Sequence, residues 1–127
     1  KIDTAFTYLD KQTELFKVVN VPFAGNMGEY CKTAKQAAEE QREYFTGPLG
    51  NDVFQFSPMP WVTYTHVSHT NSGKRDNATP LFDWGKFYER DGKLLLPFSV
   101  QAHHSFVDGL HIGRLAENLQ SWLNNYQ

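Results

Sequence analysis

Short runs in which apolar and polar residues alternate dominate the chain, and two stretches of helical period interrupt them. Thr4 to Leu9 and Leu15 to Val21 are β-branched and aromatic runs on either side of Asp10-Lys11-Gln12-Thr13, which predicts a hairpin or a pair of neighbouring strands. Pro22 and Gly25 end the second run, and Asn26 can cap a helix reaching to about Phe45. Met27, Tyr30, Cys31, Ala34, Ala37, Ala38 and Phe45 fall near one face of it, while Lys32, Lys35, Glu39, Glu40, Arg42 and Glu43 face water. Thr46 to Asp52, with its glycines and proline, reads as a loop. Val53 to Ser57 reads as a short strand stopped by Pro58 and Pro60, and Trp61 to Val67 as a second extended piece. Ser68 to Thr79 is polar and reads as a loop that includes the sequon-like Asn77-Ala78-Thr79. Strand character returns at Leu81 to Tyr88 and Leu94 to Ala102, and Asp91-Gly92 between them is a strong hairpin signal. After Gly109, a helix to about Asn124 carries Ile112, Leu115, Leu119 and Trp122 at helical spacing and is expected to pack on the sheet.

Composition narrows the class. The 127 residues are one domain's worth, and 40% hydrophobic with 15% aromatic content is enough for a sizeable core. A net charge of -2, with signs mixed along the chain, leaves no basic footprint and argues against nucleic acid as a partner. No apolar run approaches membrane-spanning length, so no membrane partner is expected. Cys31 is alone, which rules out an intrachain disulfide and a cysteine-based zinc site and suits a reducing, cytoplasmic setting.

Candidate chemistry gathers in Gln101-Ala102-His103-His104-Ser105-Phe106-Val107-Asp108-Gly109-Leu110-His111. The alternation Leu94, Leu96, Phe98, Val100, Ala102 places His104 on the apolar face and His103 on the other, with Ser99 and Gln101, if the strand runs that far. A histidine desolvated in this way stays neutral near pH 7 and is a candidate general base. A hydrogen-bonded packing role fits the same position. His103, His104, Asp108 and His111 are also metal-ligand types, but adjacent strand residues point to opposite faces, and no sequence sets two histidines on one helical face. Neither a Gly-rich phosphate loop nor a Gly-x-Ser-x-Gly elbow is present.

Gln-x-His-His-Ser-x-x-Asp-Gly-x-His resembles the active-site signature of the chloramphenicol acetyltransferases, and its shorter core, His-His-x-x-x-Asp-Gly, recurs across the coenzyme-A-dependent acyltransferases. Ala102 replaces a larger aliphatic residue of that pattern, and Leu110 stands where an aromatic is usual. Three further segments carry the resemblance. Thr7 to Phe16 is similar to Thr-Val-Phe-His-x-x-Thr-Glu-Thr-Phe, Phe54 to Val62 resembles Asn-x-Ser-x-x-Pro-Trp-Val, and Pro80 to Tyr88 is similar to Pro-Ile-Phe-Thr-x-Gly-Lys-Tyr. The likeness covers roughly the C-terminal three-fifths of the family's length, so a single, N-terminally truncated acyltransferase domain is expected over 1–127.

The resemblance implies an α/β fold, a two-layer sandwich with a mixed β-sheet covered by helices. It implies transfer of acetyl from acetyl-CoA, as co-substrate and without a metal, to a hydroxyl of chloramphenicol. His104 would be the base, Ser57 the donor to the oxyanion and Asp108 a structural anchor, paired in the family with an arginine of the N-terminal part. Phe16, Val18, Val67 and Leu81 would line the antibiotic pocket, while Trp61, Asp83, Lys86 and Phe87 would lie on the coenzyme side. Asp83 departs from a threonine that holds an active-site water, and its charge would alter the field around the oxyanion and could raise the pKa of His104. The family is trimeric with sites between subunits, so a homotrimer is expected and an isolated fragment should be inactive. Other readings are a non-catalytic binding homologue, an enzyme with a different hydroxyl acceptor, and the acyltransferase core of a 2-oxoacid dehydrogenase complex. The Asp-His-Arg-x-x-Asp-Gly form usual in that core is not matched here.

Overall fold

Two elements follow directly from their local chemistry. Asn26 accepts from the Glu29 N–H and the Glu29 carboxylate accepts from the Asn26 N–H, each at 3.0 Å, a reciprocal cap that starts helix α1, Met27–Glu40. Asp91 and Gly92, with φ of 52° and 71°, form the tight turn between strands paired Arg90 to Lys93. The computed structural model describes residues 2–47, 49–50, 52–69 and 78–126. Most of the expected polar loop, including Asn77 of the sequon, lies outside them.

The strands are β1 (Asp3–Leu9), β2 (Phe16–Pro22), β3 (Val53–Met59), β4 (Leu81–Gly85), β5 (Tyr88–Arg90), β6 (Lys93–Leu95) and β7 (Phe98–Gln101), and α2 spans Gly109–Asn125. A mixed five-stranded sheet has the order β2-β1-β3-β4-β7, with β1, β3 and β4 parallel and both outer strands antiparallel to their neighbours. The hairpin β5-β6 forms a separate two-stranded sheet.

Register assigns each side chain to a face, because directly opposed residues share one. Val19, Phe6, Phe56, Phe82 and Val100 fall in one row. On this face α1 packs against β2, burying Val19, Val21 and Ala38 with Phe6, Tyr8, Tyr30, Ala34 and Ala37 around them. The ring of Phe82 stacks on Phe56 at 5.3 Å and on Phe98 at 6.2 Å, extending the apolar layer across the sheet. The opposite face carries Ala5, Gln55, Leu81 and Gln101 in one row and Ser57, Asp83 and Ser99 in the next.

Several elements differ from the sequence expectation. Helix α1 stops at Glu40 instead of Phe45, because Gln41 turns extended and its side-chain amide donates to the Val18 carbonyl at 2.8 Å. The Val18 N–H then donates to the Tyr44 carbonyl, so the segment after the helix runs beside β2. Strand β3 passes through Pro58, which stands opposite Trp84. The β1 ladder has ended by then, at Phe6 opposite Phe56, so the missing N–H disturbs an edge and not a central position. Trp61 to Val67 forms no strand. The two expected late strands are each broken, at Lys86-Phe87 and at Leu96-Pro97. The last of them ends at Gln101, opposite Leu81 where β4 begins, and among the described residues no strand pairs with the chain beyond. Helix α2 does not bury itself on the sheet as expected: none of its residues is buried, and Trp122 is exposed.

Candidate active site

The face opposite α1 holds a cavity of about 340 Å³. Val18, Ala5, Gln55, Ser57 and Leu81 form its floor, and Tyr44, Phe45 and His69 close it from above. Tyr44 and Phe45 reach it only because α1 ends early and the chain returns along β2. Of the four expected pocket residues, Val18 and Leu81 line this cavity. Phe16 stands at its margin, its ring edge-on to Tyr44 at 5.5 Å, and Val67 is half-buried and not among the lining residues.

Ser57 lies on the cavity wall near the end of β3, directly opposite Asp83 on β4. Asp83 is 1% exposed. Its Oδ1 lies 2.8 Å from Nε2 of His69, while Oδ2 has no hydrogen-bond partner among the described residues, and neither has the buried Tyr64 hydroxyl. Burial, reinforced by the Asp83 charge, pushes the Tyr64 phenol above its usual range. The ladder therefore sets Asp83 beside Ser57 and Ser99, and its hydrogen-bond partner is His69, not His104.

Beyond β4 the chain is tightly crossed. The Lys86 N–H donates to the Val62 carbonyl at 2.6 Å and the Gly85 N–H to the Pro97 carbonyl at 3.1 Å. A Cβ on Gly85 would lie 2.6 Å from the Val62 carbonyl oxygen, so only glycine fits. This crossing leaves Lys86 exposed, with Phe87 62% and Trp61 63% exposed. An exposed cation, unpaired among the described residues, and two open aromatic rings suit the phosphates and the base of a nucleotide-bearing substrate.

His104 sits in a turn closed by the Phe106 and Val107 N–H groups, which both donate to the His103 carbonyl. It is exposed and not held against an apolar strand face, because β7 ends three residues earlier. Nδ1 of His103 accepts from the Ser105 N–H at 3.2 Å, which stiffens the same turn. Asp108 caps α2, its Oδ1 accepting from the Leu110 N–H at 3.0 Å and the His111 N–H at 3.4 Å. The Asp108 N–H in turn donates to Nδ1 of His111 at 3.2 Å.

Within one chain His104 is not among the residues that line the cavity with Ser57. Strand β7 runs antiparallel to β4 and ends at Gln101 opposite Leu81, the first residue of β4, with His104 three residues beyond, while Ser57 stands opposite Asp83, the middle residue of β4. Among the described residues, sequence reasoning missed His69, and with it Tyr44, Phe45 and Gln55. A histidine in a polar stretch carries no local signal, and its partner is fourteen residues away. Among the described residues no group of three or more His, Cys, Asp or Glu converges as a metal site would require, and no helix is long and apolar enough to cross a membrane.

A family profile described as chloramphenicol acetyltransferase matches residues 1–120. A chloramphenicol acetyltransferase of Streptomyces acrimycini is 36% identical over 126 residues, an overlap that takes in 96% of this chain and 57% of the relative. The chain thus spans a little over half the length of the curated relatives it matches. Its fold matches a solved chloramphenicol acetyltransferase with a TM-score of 0.76 at 22% identity, covering 89% of this chain and 57% of that one. It also matches the cubic core of the pyruvate dehydrogenase multienzyme complex, with a TM-score of 0.67 at 16% identity, covering 98% of this chain and 54% of that one.

Proposed function

The chain belongs to the chloramphenicol acetyltransferase family, and from that premise we propose that it carries acetyl from acetyl-CoA to a hydroxyl of chloramphenicol. The observation that carries the reading is the placement of Ser57 on the wall of a largely apolar cavity with Val18 and Leu81, on a face of the sheet that the core leaves open. An apolar cleft with a few fixed polar groups is what a small aromatic alcohol requires. Phe16, at its margin, and Val67 belong to the same acceptor side in this reading.

His104, as general base, takes the proton of the acceptor hydroxyl as that oxygen attacks the thioester carbonyl, and later returns it to the departing thiol. The Ser57 hydroxyl donates to the oxyanion that forms, a charge present in the transition state and not in the substrate. Lys86 receives the coenzyme phosphates, with Phe87 and Trp61 as stacking surfaces. Asp108 holds the histidine turn by fixing the start of α2. Asp83 acts from the coenzyme side only indirectly, since its carboxylate is buried and bound to His69. No metal takes part.

Since His104 is not among the residues lining the cavity of its own chain, His104 of one copy faces the cavity of another in this reading, and the working protein is a symmetric oligomer, a homotrimer as in the family it resembles. A single 127-residue chain is then inactive. The setting is cytoplasmic, and antibiotic resistance is the outcome. The test is release of the coenzyme A thiol on mixing the purified protein with acetyl-CoA and chloramphenicol. Wild type should turn over, and His104→Ala should lose ~100 to 10,000-fold. Equal rates from the two would leave a binding protein without catalysis. One observation favours a second reading: the Asp83–His69 pair adds a hydrogen-bonding group to the cavity wall and would suit a different hydroxylated acceptor.

A further inference from the structure

A buried carboxylate is costly unless something compensates it. Asp83 is 1% exposed, and its Oδ1 meets His69 at 2.8 Å. A carboxylate bound to Nε2 of an imidazole holds the proton on that nitrogen and leaves Nδ1 as a hydrogen-bond acceptor. The His69 side chain is 34% exposed, and it lines the same cavity as Ser57, whose strand position is directly opposite Asp83. The cavity wall thus carries a hydroxyl and an oriented imidazole, the first opposite Asp83 in the ladder and the second hydrogen-bonded to it, among otherwise mostly apolar residues.

We propose that His69 is an acceptor-binding residue whose Nδ1 accepts a hydrogen bond from a second hydroxyl of the acceptor, with Asp83 as the positioning residue that fixes the ring. The hydroxyl that reacts gives its proton to His104, so His69 reads a different one. The substrate class is then an apolar alcohol with at least two hydroxyl groups, not a simple mono-alcohol. This deepens the activity proposed above and rests on it for the identity of the acceptor, but the Asp83–His69 pair stands on its own geometry.

Two measurements decide it on the purified protein. Long-range proton–nitrogen NMR at pH 8 should show His69 as the Nε2–H tautomer in wild type; a Nδ1–H tautomer overturns the pairing. In acetyl transfer to chloramphenicol, His69→Phe should raise the acceptor KM about tenfold with kcat and the acetyl-CoA KM nearly unchanged, while His69→Gln, whose amide oxygen can accept the same bond, keeps most of the affinity. An analogue of chloramphenicol lacking the hydroxyl that is not acetylated should cost wild type the same factor and cost His69→Phe nothing further. Unchanged acceptor KM in His69→Phe, or additive losses with the analogue, overturn the recognition role. Thermal melting of each variant separates misfolding from lost recognition. If wild type does not acetylate chloramphenicol, the proposed activity fails, and the tautomer alone then sustains or overturns the pair.

Discussion

Asp108 joins the histidine turn to a helix through a few hydrogen bonds, and its role can be weighed alone. Removing the side chain in Asp108→Ala leaves the first N–H groups of α2 without their cap and should cost about 1 kcal/mol in chemical denaturation, whereas Asp108→Asn should be close to neutral. Ser57 makes a different claim. If its hydroxyl serves the oxyanion, Ser57→Ala should lower kcat by ~100 to 1,000-fold and leave both KM values nearly unchanged. Asp10 ties a residue to pH. Its carboxylate accepts from the Gln12 N–H at 2.8 Å and the Thr13 N–H at 3.3 Å, and these bonds hold its carboxyl below the usual range. A lowered value means that the bonds stabilise the β1–β2 turn above the ordinary carboxylate range, and that this is lost as pH falls through the lowered value. Asp10→Asn should flatten the acid side of a stability-against-pH curve and leave the neutral side almost unmoved.

At the scale of elements, local chemistry was legible and tertiary exchange was not. The Asn26 cap and the Asp91-Gly92 turn need only neighbouring residues, and both stand where the sequence put them. The end of α1 depends on Gln41 finding the Val18 carbonyl, a contact twenty-three residues away in sequence, which helical periodicity cannot register. The end of β7 is likewise set by where β4 begins. An alternating apolar pattern continued to Ala102 and His104, but a pattern supplies no hydrogen-bond partner. The crossing at Gly85 gives this scale its test: Gly85→Ala forces its Cβ against the Val62 carbonyl and should cost ~1–3 kcal/mol, read as a lower denaturation midpoint.

The whole chain is a sheet with one face given to the core and one to a cavity, and register explains the division. Phe56 and Phe82 point to the α1 side, while Ser57 and Asp83, one residue on in each strand, point to the other, where Ser57 lines the cavity. Ser57, Val18 and Leu81 were singled out because their segments resemble a known family, and the three line one cavity. His69 was not, since neither its own neighbourhood nor that of Asp83 announces the pair. Nor could the chain alone show that His104 stands apart from the residues lining the cavity with Ser57. That separation is what makes the proposed site an affair of two copies, and a mixing experiment addresses it directly. His104→Ala and Ser57→Ala proteins, each impaired alone, are co-expressed so that mixed oligomers form. The account predicts acetyl transfer well above either variant alone, because an intact His104 from one copy meets an intact Ser57 from the other. Activity no greater than that of the separate variants would mean that each site carries both residues from one chain, and would contradict it.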